Sequence, residues 1–320
     1  METLPGSIRR KIQNGISKMT NLEKYIKQFL VYLDVEKSAS PLTIREYKRY
    51  LKEFSEWTDD YVPDFKIEKL DMPIVREFRV YLSQKRNVRG GNLAKVSQNH
   101  YIVCLRSFLK YLAKNDVDVM SADKIELPRT HSRSPKFLDS SQLEKLFAMP
   151  DTTTNWGLRD RTILELFFST GLRVSELFRL DRDTIDLTRK EFSIVGKGSK
   201  TRLVFISDNA AKWVKKYLDT RTDDFKSLFI RYSPGNTKDM RLSVSSIERM
   251  VKGYIRQAGI PVDATPHTLR HSFASDLLRN GANLMLIKDL LGHSNIATTQ
   301  IYTHVTDQEL REAHSKFHKL

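Results

Sequence analysis

Cysteine is almost absent from this chain. Cys104 stands alone among 320 residues, so no intrachain disulfide forms and no cysteine-based zinc site can be built. Leu105 and Phe108 flank it, which predicts a buried structural thiol and fits a reducing cytoplasm. No apolar run is long enough for a transmembrane helix. The first nineteen residues carry Arg9, Arg10, Lys11 and Lys18 but no apolar stretch of the signal-peptide kind, and they read as a flexible basic extension. No repeat of solenoid period is visible. Acidic residues are in deficit: 39 Asp and Glu face 54 Lys and Arg, a net charge of +15. A field of that sign attracts polyanions, and nucleic acid is the commonest such partner.

A length of 320 residues suggests about two domains. With 40% hydrophobic and 29% charged residues, the chain can bury packed cores and stay soluble. The first half has helical periodicity. Leu22, Tyr25, Ile26, Phe29, Leu30 and Leu33 recur at helical spacing over residues 20–35. Ser40-Pro41 starts a second helix, from Leu42 to Thr58, with Ile44, Tyr47, Leu51 and Phe54 on one side. Met72-Pro73 starts a third, to about Gln84, and Gly90-Gly91 breaks the chain. A fourth runs from about Ser97 to Lys114, with Tyr101, Leu105, Phe108 and Leu112 as its core stripe. Together they predict a small helical bundle over residues 20–125.

Residues 126–137 turn polar and extended, with Pro128, Pro135, Arg129 and Arg133, and read as an interdomain linker. Residues 138–320 are mixed. Ser140 is expected to begin a helix by capping, and Leu158 to Ser169 is a helix ended near Gly171. Phe192 to Val195 and Arg202 to Ile206 are short strands joined as a hairpin by Gly196 to Thr201. Helices are expected at 208–218, 243–258, 267–279, 283–290 and 294–305.

Thr265-Pro266-His267 has the chemistry of a helix start, with a capping threonine and proline in the first turn. His267 and Arg270 then share a face of that turn, where backbone N–H groups also favour an anion. A surface His and Arg would look the same. His267 and His271 are four apart, as in a zinc-protease helix, but Thr268 stands where that motif needs glutamate, which disfavours zinc. The Gly196 to Thr201 hairpin lacks the glycine spacing of a P-loop, which disfavours ATP. Gly292 ends one helix and Ser294 can cap the next, holding His293 on the turn. Tyr302 follows eight residues after Ser294. Alone it reads better as a core residue.

Taken together, Arg173 in Thr-Gly-Leu-Arg-Val-Ser-Glu-Leu, His-Thr-Leu-Arg-His at 267–271, Leu-Gly-His-Ser at 291–294 and Tyr302 resemble the tyrosine recombinase (phage integrase) family. The stretch from His267 to His318 is similar to the Xer group. The resemblance implies a mainly α chain with a small β-hairpin. It implies a two-domain, C-shaped clamp: an N-terminal SAM-like core-binding bundle and a mixed α/β catalytic domain. The activity implied is site-specific exchange of duplex DNA, with resolution of chromosome or plasmid dimers as the Xer task. Integration of a mobile element, or noncatalytic DNA binding on the same scaffold, are the alternatives.

By the same resemblance, Tyr302 would attack the scissile phosphate and store the bond as a 3′-phosphotyrosine, with no metal, ATP or other cofactor. Arg173 and Arg270 would grip the nonbridging oxygens. Lys197 would protonate the leaving 5′-oxygen, with Lys200 and Arg202 as nearby alternatives that read better as DNA-backbone contacts or a solvated hairpin. His267 would act as general acid and base, and His293 would hydrogen-bond the phosphate. Glu176, one turn after Arg173, would orient His267 or the pocket. Thr43, Arg45, Lys48 and Arg49 on the second helix, and Asn99, Arg106 and Lys110 on the fourth, are candidate DNA contacts. Leu310, Ala313 and Phe317 suggest a tail docking on a neighbouring protomer. Implied partners are inverted-repeat duplex DNA, a homotetramer or sister recombinase, and a DNA translocase, all in the cytoplasm.

Overall fold

The computed structural model describes residues 20–87, 90–128, 136–196, 201–232, 240–262 and 264–292. They fall into two compact units, one within residues 1–132 and one within 133–320.

Among the described residues the first unit has four α-helices, α1 (Asn21–Val35), α2 (Pro41–Tyr61), α3 (Met72–Gln84) and α4 (Lys95–Lys114), with short 3-10 turns at Ile67–Lys69 and Ala122–Lys124. Each start has a local cause. Thr20 and Glu23 form a capping box at α1, the Ser40 hydroxyl accepts from the Thr43 N–H at α2, and the Asp71 carboxylate accepts from the Ile74 N–H at α3. The helices converge on Phe29, Phe54, Phe78 and Phe108, all essentially fully buried. Phe54 and Phe78 meet edge to face, 5.0 Å between ring centres, the arrangement that ring quadrupoles favour. Cys104 is buried beside them on α4, with its sulfur 3.7 Å from the Tyr47 carbonyl. Burial pushes its thiol pKa far up. α2 runs about one turn past the expected Thr58, to Tyr61, whose ring stacks on Trp57, and the Val62 N–H donates to the Thr58 carbonyl. At the glycine break, Gly90 takes a φ of 82° and the chain folds back so that Arg86 pairs with Asn92.

The second unit contains α5 (Ser140–Ala148), α6 (Asn155–Thr170), α7 (Val174–Phe178), β1 (Glu191–Val195), β2 (Thr201–Phe205), α8 (Asp208–Asp219), α9 (Val244–Gln257), α10 (Pro266–Arg279) and α11 (Leu284–Leu291). The cap of α5 is Asp139, not Ser140: its carboxylate accepts from the Gln142 N–H, and Gln142 answers in a capping box. The five-residue α7 has too few residues for a periodic pattern and was not foreseen. α6 is the central helix, with Ile163, Leu164, Leu166 and Phe167 fully buried.

β1 and β2 pair antiparallel, with Phe192 opposite Val204 and Ile194 opposite Arg202. Val204 and Ile206 face inward, while Leu203 and Phe205 face out. Arg202 therefore lies on the inner face of its strand. Among the described residues the architecture is mainly helical with one small two-stranded sheet, as the sequence suggested. Among the described residues no helix is long and apolar enough to cross a membrane.

Candidate active site

The site begins where α6 stops. Gly171 ends that helix in the left-handed conformation, φ 60°, and a Cβ there would lie 2.4 Å from a ring carbon of Phe273. Glycine is thus required twice over, by conformation and by space. The chain turns at once into α7. The Arg173 N–H donates to Glu176 Oε2 at 2.8 Å, and the Arg173 Nη1 donates to Oε1 at 2.8 Å. The carboxylate thereby satisfies an otherwise unpaired N-terminal amide.

Arg202 reaches the same carboxylate from β2. Its Nη1 donates to Oε1 and its Nη2 to Oε2, both at 2.9 Å, a planar fork on a planar anion. Burial raises the Glu176 pKa, but the hydrogen bonds and charges of Arg202 and Arg173 overcome it and hold the carboxyl down at about 2. It is an anion at any pH near neutrality.

α10 brings the second half. Thr265 caps it, Pro266 occupies the first turn, and Thr268 Oγ1 accepts from the Thr265 N–H at 3.0 Å. Arg270 is 3% exposed. Its Nη1 donates to the Gly171 carbonyl at 2.6 Å and its Nη2 to the Leu291 carbonyl at 2.7 Å. Those carbonyls end α6 and α11, where helix dipoles leave partial negative charge, so a guanidinium is favoured there. The open helix mouth expected around Arg270 is instead a buried junction of three helix ends. His267 is half-buried on the same turn. Burial and the charges of Arg270 and Arg173 lower its pKa, with Glu248 opposing. His271 lies behind it, 6.1 Å between ring centres, and burial with His267 and Arg270 holds it at about 4. At neutral pH both rings are neutral.

Arg173, Glu176, His267 and Arg270 therefore come together from segments almost a hundred residues apart, and Arg202 joins them. Arg202 is not a solvated hairpin residue: its side chain is 12% exposed and committed to Glu176. Sequence alone left this open, because Leu203 and Phe205 are as apolar as Val204 and Ile206, so alternation cannot choose the inner face. Glu176 holds the two arginines, and no hydrogen bond joins it to His267 among the described residues. Lys197, Lys200, His293 and Tyr302 lie outside the described residues, as do the helix expected at 294–305, the tail beyond it, residues 1–19 and most of the expected linker.

On the first unit four of the candidate contacts, Arg45, Arg49, Arg106 and Lys110, are in ion pairs. Thr43 shares a 2.8 Å hydrogen bond with Ser40. Arg45 and Arg49 both reach Glu46, at 3.6 and 2.8 Å, and Arg49 lies over the Tyr50 ring. Lys48 is exposed and Asn99 half-buried. Arg106 and Lys110 both reach Asp123 at 3.1 Å.

What these residues can do is hold a dianionic oxygen cluster against fixed cations and take up a proton on a neutral imidazole. Known proteins point the same way. The Phage integrase family model matches residues 136–309, and the Phage integrase, N-terminal SAM-like domain matches 26–116. The chain is 37% identical over 302 residues to tyrosine recombinase XerD of Lacticaseibacillus casei, covering 92% of this chain and 98% of that one. It is 34% identical over 304 residues to tyrosine recombinase XerC of Pelobacter propionicus, covering 94% and 97%. Its fold resembles the XerH site-specific recombinase in a pre-cleavage complex with difH, with a TM-score of 0.67 at 23% identity over 95% of this chain and 87% of that one. The chain belongs to the phage integrase family of tyrosine recombinases and is a site-specific recombinase of the Xer type.

Proposed function

We propose that this protein cuts and rejoins duplex DNA at a specific inverted-repeat site through a 3′-phosphotyrosine on Tyr302. The observation that carries the reading is the convergence of Arg173, Arg270 and a neutral His267 at one junction. Arg173 and Arg270 stabilise charge on the nonbridging oxygens, and their fixed placement needs no reorganisation during reaction. His267, kept neutral by its surroundings, accepts the tyrosine proton. Lys197 protonates the leaving 5′-oxygen, and His293 hydrogen-bonds the phosphate. Glu176 is a positioning residue for Arg173. Tyrosine has a reference pKa of about 10, so Tyr302 needs the cationic pocket to react near neutrality.

The guanidiniums supply the charge that a metal would otherwise supply, and the phosphotyrosine conserves the bond energy that ATP would otherwise replace. Cleavage therefore proceeds without either. The net charge of +15 supports duplex binding, with Lys48, Arg49, Arg106 and Lys110 on the phosphates. Two domains with a linker at 126–137 would let the chain close on DNA. Activity belongs to a tetramer on two sites, built from this chain or shared with a sister recombinase, with the tail at 308–320 docking between protomers. The biological task is resolution of chromosome or plasmid dimers in the cytoplasm, under control of a DNA translocase.

The test is covalent trapping. A nicked suicide duplex is selected from a pool of randomised inverted repeats by adduct formation with the wild type, in EDTA and without nucleotide. Wild type should become covalently linked, and Tyr302→Phe should not. An adduct with Tyr302→Phe would dismiss the nucleophile. Sequence-specific binding without any adduct would leave a noncatalytic DNA-binding protein.

A further inference from the structure

Arg202 has a position that strand cleavage as described above does not use. Its guanidinium binds both oxygens of Glu176, and Glu176 in turn binds both the backbone and the side chain of Arg173. On its other side it lies against Gly292. A Cβ at Gly292 would sit 2.9 Å from Arg202 Cδ, 3.0 Å from Nη1 and 3.2 Å from Nε. The turn that ends α11 therefore lies against the guanidinium, and its φ of 64° is what favours glycine there. Arg202 also stands on β2, five residues after Lys197 in the chain, with Ile194 opposite it on β1.

We infer that Arg202 is a positioning residue for DNA cleavage: it fixes Arg173 through Glu176 and seats the Gly292 turn against the same carboxylate-bound plane. One planar group thus sets the spacing of three segments, the α7 start, the hairpin and the end of α11. Lysine cannot replace it, because an ammonium cannot bridge two carboxylate oxygens and lie flat against a turn. The inference rests on the cleavage reading, and it removes Arg202 from the surface that contacts DNA.

The experiment compares Arg202→Gln, Arg202→Lys, Glu176→Gln and the double variant Arg202→Gln/Glu176→Gln. Three readouts are needed. The first is the single-turnover rate of adduct formation at saturating selected suicide duplex. The second is DNA affinity as a function of salt. The third is urea denaturation of the DNA-free proteins. Arg202→Gln should slow cleavage of bound DNA by about 100-fold, the scale of a misplaced group. Arg202→Lys should slow it by at least about 10-fold, despite keeping the charge. The salt slope of binding should stay that of the wild type. The two single substitutions should be non-additive in urea.

A salt slope reduced by about one, with cleavage of bound DNA unchanged, would make Arg202 a phosphate contact and overturn the inference. Wild-type cleavage by Arg202→Lys, or additive denaturation effects, would overturn it as well. A wild type that forms no adduct would sink the cleavage reading by itself, while the DNA-free cycle would still decide whether Arg202 is coupled to Glu176.

Discussion

Arg270 donates from Nη1 to the carbonyl of Gly171 at 2.6 Å, tying the first turn of α10 to the last residue of α6's cap across almost a hundred residues of chain. With the Leu291 carbonyl as second acceptor, this one side chain satisfies the ends of two helices. This structural role can be told apart from the chemical role proposed for Arg270.

Arg270→Lys should show both. An ammonium cannot reach two carbonyls set for a planar fork, so at least one buried acceptor loses its partner. The cost should be about 1–3 kcal/mol in urea denaturation. Adduct formation should fall far more steeply than stability, because the fixed charge at the phosphate is displaced as well.

Gly171 and Gly259 separate conformation from packing. Both are left-handed, at φ 60° and 63°, but a Cβ at Gly171 meets Phe273 at 2.4 Å and Leu291 at 2.9 Å, while Gly259 has nothing within 4 Å. Gly259→Ala should cost only the backbone term, about 1 kcal/mol. Gly171→Ala should cost that and a further 1–3 kcal/mol or so for overpacking. Equal losses in thermal denaturation would show that the junction yields without strain.

Acid should weaken the second unit in two windows. His267 and His271 are both held below the ordinary histidine value, His271 at about 4. The unfolded chain then binds more protons below about pH 6.5, so stability present above that pH is lost as pH falls toward 4. Glu176, held at about 2, adds a second loss that starts near its unfolded value of 4.5 and continues below it. Urea denaturation between pH 7 and 4 should show a flatter slope for His271→Gln than for the wild type.

The first unit offers a test of DNA contact by charge. Lys110 shares Asp123 with Arg106, whereas Lys48 is exposed on α2. Lys48→Ala should weaken binding to all duplexes alike and lower the salt slope by about one. Lys110→Ala should do the same with little change in melting temperature, because an exposed ion pair contributes roughly 0–1 kcal/mol. Loss of sequence preference without a change in salt slope would place these lysines away from the phosphates.

Cys104 provides a folding probe. Buried and with its thiol held far up, it should react with a thiol reagent only as the first unit unfolds. Labelling rates should therefore follow urea concentration through the transition.

The sequence by itself determined the local elements of this protein. Caps at Ser40 and Thr265, glycine stops at Gly171 and Gly292, and the apolar stripe of α4 are encoded within a few residues of one another, and local hydrogen bonding and periodicity suffice to read them. The family motifs were legible for the same reason, since each occupies a short run. What only the tertiary structure decided is where the charges go. Glu176 lies three residues from Arg173 and twenty-six from Arg202, and its two faces could have served an imidazole or a guanidinium equally well on sequence. Arg202 sits in a strand whose two faces are both apolar, so its inward turn follows from the burial of Phe192 and Ile194 on β1, not from its own neighbours. Arg270 carries the motif's position, but its acceptors are carbonyls, which every residue possesses and no sequence pattern distinguishes. Backbone acceptors and the choice of sheet face depend on which helix ends meet in space, and that is set by packing.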